Sequence, residues 1–310
     1  MLNPSGHEGM SVLTPAAGRV RIIEEATKSM SGRLNGKVAL ITGGTSGLGL
    51  AACQMFVEEG AHVLVADIHE ERGRALERQL GDRLSFSACD VREESDIERS
   101  VAEAVHHFGG LDIAYHSAGA VGDTGTVETI SVEGWDQTHS LLLRSAMLVV
   151  KHSVAPMKER GGGSIILTSS TAATALGGSG QYAYSVAKAA VLSLGEFTAL
   201  KLAAHLIRVN TLVPGSIPTP IWGGLLEGGA PLDASALDTD AFAGMQPLPR
   251  SGRSRDVAEA ALFLASDSSA FVTGVSLPVD GGQSLFRPEA GSGGNPAQTI
   301  ARAGGGAPTR

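Results

Sequence analysis

The chain has little of what builds disulfide, metal or nucleic-acid sites. Two cysteines, Cys53 and Cys89, occur in 310 residues, and there is no C-x-x-C pair. Two cysteines make no disulfide framework, and each lies in a regular apolar pattern where a thiol acts as a small hydrophobe. That usage suits a reducing compartment, so a cytoplasmic location is expected. Nine histidines show no H-E-x-x-H or similar ligand spacing, so no metal is assigned. Charge is −8, from 24 basic and 32 acidic residues, with no basic stripe, so no nucleic-acid partner is expected. No apolar run is long enough to cross a bilayer, so no membrane role is expected. Nor do the first 35 residues carry the apolar centre of a secretory signal, and Glu24-Glu25 argue against a transit peptide.

What remains is a folded α/β composition, 43% hydrophobic with 41 glycines. Short apolar runs at 38–41, 61–66, 84–89, 111–115, 164–168, 207–213 and 275–279 have strand length. Helical periods fill 48–59, 93–108, 135–158, 184–202 and 255–265 between them. This alternation predicts a doubly wound parallel sheet of about seven strands with helices on both faces. No repeat or linker divides 36–286, which reads as one domain. Residues 1–35 read as a partly disordered extension, with Met30 as an alternative start, and 287–310 as a disordered Gly/Ala/Pro-rich tail.

The stretch KVALITGGTSGLG, 37–49, is a buried-strand run followed by Gly43, Gly47 and Gly49 and then a helix. A helix N-terminus with free backbone N–H groups attracts a phosphate, and glycine lets the backbone approach it. The next strand ends in Asp67, whose carboxylate suits a ribose diol. Residues 37–67 therefore read as a dinucleotide-binding βαβ unit. In an open sheet ligands bind beyond the strand C-termini. That draws in Asp90, Ala118-Gly119, Ser169-Ser170 and Pro214-Gly215.

Tyr184 and Lys188 are four apart on one helix face. An ammonium beside a phenol favours the phenolate, so the pair reads as an acid/base for an alcohol oxygen. A Ser169-Ser170 hydroxyl at the preceding strand end is placed to orient that oxygen.

Together these motifs resemble a short-chain dehydrogenase/reductase of the single-domain Rossmann type, over about 37–282. The resemblance rests on T-G-x-x-x-G-x-G from Thr42, Asp67, Asp90-Val91, Ala118-Gly119, Ser170 with Tyr184 and Lys188, V-N-x-x-x-P-G from Val209, Thr219 and V-D-G-G from Val279. It implies that Tyr184 is the general acid/base, that Lys188 lowers its pKa and binds the nicotinamide ribose, and that Ser170 holds the substrate oxygen. Gly43, Thr45, Ser46, Gly47 and Leu48 would surround the pyrophosphate and adenosine. Asp90 and Val91 would contact adenine, with the Ala118-Gly119 loop beside them. Pro214, Gly215, Ile217 and Thr219 would line the nicotinamide side. Asp67 repels a 2′-phosphate, and Thr45-Ser46 stand where an arginine or lysine would accept one, so NAD is expected over NADP.

Three positions depart from the family pattern. Ser117 replaces the first position of its usual N-A-G. Ser170 lies fourteen residues before Tyr184 where thirteen is commonest, with Thr171 as the fallback. Leu142 stands where relatives carry an Asn that bends the helix and holds a water for a proton relay from Lys188. Ser140 and Arg144 are candidate replacements, and a catalytically weak NAD-binding protein is the alternative reading. The long segment 216–249, with Trp222, Leu225, Leu226, Phe242 and Met245, reads as an apolar lid. Its acids, Glu227, Asp233, Asp238 and Asp240, disfavour an anionic substrate. A neutral secondary alcohol or ketone is therefore expected. A homo-oligomer, tetramer or dimer, is expected from the resemblance, packed through Leu141, Leu142, Leu143, Met147, Val150, Val191, Leu194 and Phe197.

Overall fold

The computed structural model describes residues 32–173, 181–221 and 242–285. The predicted tails, the Met30 start and much of the predicted lid, including Trp222, Leu225 and Leu226, lie outside the described residues.

Seven strands, β1 (Val38–Thr42), β2 (His62–Asp67), β3 (Leu84–Ala88), β4 (Ile113–His116), β5 (Gly163–Thr168), β6 (Ile207–Pro214) and β7 (Ser276–Val279), form one sheet in the order β3-β2-β1-β4-β5-β6-β7. Every pairing is parallel. The helices are α1 (Gly47–Glu58), α2 (Glu70–Leu80), α3 (Glu94–Phe108), α4 (Val132–His139), α5 (Ser145–Glu159), α6 (Tyr182–Leu202) and α7 (Ser254–Ala265).

β1 shows why the sheet needs helices on both faces. All five of its residues are buried. Ala39 and Ile41 point into a core with Phe56 of α1 and Leu262 of α7. Val38 and Leu40, one step out of phase, join Ile97 of α3 and Val149 of α5 on the other side. Each such aliphatic side chain contributes about 1.5–3 kcal/mol on burial, so an uncovered face would forfeit the fold. Both cysteines are buried and free within this packing, and burial pushes the Cys89 thiol up to about 11.

The strand order reverses between β1 and β4, and the crevice beyond their carboxyl ends is where a doubly wound sheet binds its ligand. One expected element differs. The single helix over 135–158 is two helices, α4 and α5, joined by a π-turn over Ser140–Arg144, and it begins three residues early behind Ser131. The Ser131 hydroxyl accepts from Gly134 N and so caps that start.

Candidate active site

The glycine loop is shaped by its neighbours. Gly43 has φ +68, and a β-carbon there would lie 2.6 Å from Ala118 Cα. A β-carbon on Gly49 would lie 2.2 Å from the Gly43 carbonyl. Gly47, with φ +52, starts α1 beneath Thr219, whose Cβ is 3.5 Å from where its β-carbon would sit. The loop after β1, the loop after β4 and the segment after β6 therefore meet over one groove. Ser46 makes no side-chain cap, so its hydroxyl leaves the first N–H groups of α1 open to a ligand.

Asp67 closes β2 as expected, but its carboxylate is tied to the glycine loop. Oδ2 accepts from Thr45 N at 3.0 Å and Thr45 Oγ1 at 2.8 Å, and Oδ1 accepts from His69 N at 3.0 Å. Thr45 is thus an anchor between loop and strand as well as a groove residue. Asp90, expected beside adenine, is paired within its own loop. Arg92 grips its carboxylate through Nε at 2.9 and 3.1 Å and also through Nη2, and holds its pKa below the usual carboxylate range. Val91 beside it is buried, and just after β4 Ala118 is half-buried and Gly119 exposed.

On the far side of the groove, Pro214 ends β6 and Ile217 and Thr219 are buried. The closing V-D-G-G segment braces this stretch. Gly215 N donates to Val279 O, and Gln283 and Ser216 exchange hydrogen bonds of 2.8 and 2.9 Å. Gln283 is absent from the motif reading, because its partner lies 67 residues away.

Tyr184, Lys188 and Ser170 come together between these walls. Ser170 lies close enough to the Tyr184 phenol to act on its titration, as expected of the serine at this strand end. Lys188 Nζ lies 5.7 Å from the Tyr184 ring centroid and donates to Thr168 O at 2.8 Å. The Ser169 hydroxyl donates to Lys188 O at 2.7 Å, so it serves the helix backbone rather than a substrate. Burial pushes Lys188 down to about 8. The expectation that Lys188 lowers the Tyr184 pKa is not met in this structure. Burial raises the phenol, and only the Ser170 hydrogen bond opposes it.

Leu142 is fully buried at the centre of the π-turn. A β-carbon on Gly119 would lie 3.2 Å from Leu142 Cδ2 and 3.9 Å from Lys188 Nζ, so an apolar side chain and the ammonium converge on one glycine. The bend persists without Asn. Ser140 and Arg144 do not replace it. They hydrogen-bond each other on the exposed side, where Arg144 also reaches Arg92 O at 3.1 Å.

This geometry coincides with what comparison finds. A family model described as Enoyl-(Acyl carrier protein) reductase matches residues 43–284. Short-chain dehydrogenase reductase 3a of Arabidopsis thaliana is 38% identical over 262 residues, 84% of this chain and 100% of that one. The chain belongs to the short-chain dehydrogenase/reductase family. It is also similar to 2,5-dichloro-2,5-cyclohexadiene-1,4-diol dehydrogenase LinX of Sphingobium indicum, 37% identical over 83% of this chain and 99% of the relative. A crystal structure of a short-chain dehydrogenase/reductase from Burkholderia xenovorans superposes with TM-score 0.74 at 36% identity, covering 83% of this chain and 100% of that one.

Short-chain dehydrogenase/reductases are oxidoreductases that use a nicotinamide cofactor, and the groove fits one. A side chain on Gly43 or Gly49 would collide with the neighbouring backbone, Gly47 holds a left-handed φ, and the compact loop so formed leaves the open N–H groups of α1 for a pyrophosphate. Asp67 would meet the adenosine ribose and Lys188 the nicotinamide ribose.

Proposed function

We propose that this short-chain dehydrogenase/reductase interconverts a neutral, fairly apolar secondary alcohol and its ketone, with NAD as cofactor. The observation that carries the reading is the convergence of Tyr184, Ser170 and Lys188 beside the glycine groove. NAD, when bound, accepts the carbinol hydride or NADH returns it. The chain's own residues handle the proton. In reduction Tyr184 gives its phenolic proton to the carbonyl oxygen as the C–O bond becomes an alcohol. In oxidation the phenolate takes the hydroxyl proton back. Ser170 Oγ steadies the same oxygen through both directions, and this alignment is the larger part of the protein's contribution.

The raised Tyr184 pKa sets a direction with pH. At neutral pH the phenol is protonated and ready to donate, whereas oxidation requires the phenolate and speeds up as pH rises. Two features support NAD over NADP. The Asp67 side chain is held by neutral donors at the end of β2, and the loop carries Thr45-Ser46 with no cation to receive a 2′-phosphate. The acids of 216–249 support a neutral substrate over an acyl-carrier thioester, whatever the matching family model's description. The substrate that LinX is named for, a dichlorocyclohexadiene diol, belongs to the same neutral class.

We place the protein in the cytoplasm as a homo-oligomer. Both cysteines are free, and among the described residues no helix is long and apolar enough to cross a membrane. Leu142, Val150 and Val191 are corrected as interface residues, because they are buried inside the chain. Met147, Phe197 and Leu200 are exposed on α5 and α6 and are the apolar surface an interface would cover, which a sizing measurement checks.

The test is NADH formation from NAD over a panel of neutral secondary alcohols, with Tyr184→Phe alongside. Turnover that rises with pH and falls by about two or more orders of magnitude in Tyr184→Phe is expected. Equal turnover in both proteins overturns Tyr184 as the acid/base. NADH binding without turnover by any panel member favours the second reading, a catalytically weak NAD-binding protein, which rests on Leu142 beside Lys188.

A further inference from the structure

We propose that His116 and Ser145 form a buried clamp that holds the π-turn and its Leu142 against the Lys188 side of the active site, so that both are positioning residues for the Tyr184/Lys188 pair. As a statement about catalysis it rests on the dehydrogenase reading above. As a statement about Tyr184 and Lys188 electrostatics it stands alone.

The hydrogen-bond geometry assigns each proton. Ser145 Oγ donates to Leu141 O, a carbonyl that can only accept. A hydroxyl has one proton, so the 2.8 Å contact between Ser145 Oγ and His116 Nε2 must run the other way, with Nε2–H donating. His116 is therefore the Nε2–H tautomer, and its Nδ1 carries a lone pair. That atom is buried with no hydrogen-bond partner among the described residues. The side chain is fully buried. Burial first, and the Lys188 charge second, push its pKa down to about 3, so the ring stays neutral.

The same histidine reaches Lys188 through the backbone. Its carbonyl accepts from Thr168 Oγ1 at 2.8 Å, and the Thr168 carbonyl accepts from Lys188 Nζ at 2.8 Å. Hydrogen bonds thus run from the π-turn through Ser145 to the ends of β4 and β5 and on to the ammonium. The wide turn is fixed at Leu141 O, the residue next to Leu142. With Leu at 142, the turn is held from the neighbouring strand through His116 and Ser145. Leu142 and Lys188 are both buried, and burial shifts the pKa of the ammonium and of the phenol alike.

The test reads Tyr184 directly and needs no substrate. The chain has three tyrosines, Tyr115, Tyr182 and Tyr184, so tyrosinate absorbance is resolvable. The full chain, without added cofactor, is titrated as parent, Ser145→Ala, His116→Phe and His116→Gln. For each, the curve of the same protein carrying Tyr184→Phe is subtracted. Releasing the clamp lets water reach Lys188 and Tyr184, so the Tyr184 midpoint is expected to fall by about half a pH unit or more in Ser145→Ala and His116→Phe. His116→Gln, whose amide reaches the Nε2 position and can donate to Ser145, is expected to keep the parental midpoint. Parental midpoints in both Ser145→Ala and His116→Phe overturn the clamp. A shift that His116→Gln shares with His116→Phe overturns it too. Turnover surviving in Tyr184→Phe would instead defeat the dehydrogenase reading, and the titration would still decide the clamp.

Discussion

Asp112 precedes β4 at the amino end of the sheet, and Asp67 closes β2 at the carboxyl end. Both are buried. Asp112 accepts from Val38 N at 2.8 Å and from Arg160 Nε and Nη2, each at 3.1 Å. Its charge is cancelled by a guanidinium, and it ties β1 to the strand beside it and to the end of α5. Asp67 accepts only from neutral groups, two on Thr45 and one on His69. Its charge is held in place but not cancelled, at the lip of the nucleotide groove. The same side chain, equally buried, serves as a bolt at one end of the sheet and as a standing charge at the other. What separates the roles is the partner's charge, not the depth.

That contrast is open to direct attack, most severely at Asp112. Asp112→Ala strands the Arg160 guanidinium and the Val38 N–H, and is expected to cost about 2–3 kcal/mol in denaturant unfolding. The ratio of NAD to NADP affinity should stay parental. Asp67→Asn keeps most acceptors but removes the charge. Its stability should change by about 1 kcal/mol or less, while preference for NAD over NADP falls tenfold or more, about 1.4 kcal/mol. Parallel binding titrations with both cofactors check this. If Asp112→Ala moved the preference, or Asp67→Asn did not, the division of labour would be wrong.

Lys188 extends the comparison to a cation. Like Asp67 it is buried with a neutral partner, the Thr168 carbonyl. Its folded-state pKa, about 8, lies below the 10.5 of the unfolded chain. Between those values the unfolded chain binds more protons, so this group adds stability as pH rises from about 8 to 10.5. Lys188→Met removes the slope. The Tm difference, parent minus variant, is expected to grow across that window in the absence of cofactor. A flat difference would mean that the ammonium is not buried as a charge.

The features that decide these roles were unevenly legible. VALIT reads as a strand because both of its faces are apolar, and Asp67 reads as functional because it ends the next strand behind a glycine loop. Tyr184 and Lys188 are visible because helical spacing joins them. The π-turn is not. Neither glycine nor proline falls in 140–144, and the serine that secures the turn draws on a histidine 29 residues away. Burial was equally hidden. The Tyr184–Lys188 spacing says that the two are near, but whether nearness lowers the phenol depends on how much water remains. Likewise Leu142, Val150 and Val191 looked available for an interface because a helical wheel does not say which face the rest of the chain has already covered.

The π-turn also fixes the phase of everything after it. A turn with one residue more than an α-helix acts as an insertion, worth about 100° of rotation about the axis. Downstream, α5 buries Ala146, Leu148, Val149, Val150, Ser153 and Met157. Winding 140–144 into a regular helix with every residue kept would advance that face by about 100° and swing it away from the sheet, whereas deleting one residue at the same time would restore its phase. The bend beside Lys188 and the core of the far layer thus share a single residue count, so that neither can be edited without the other.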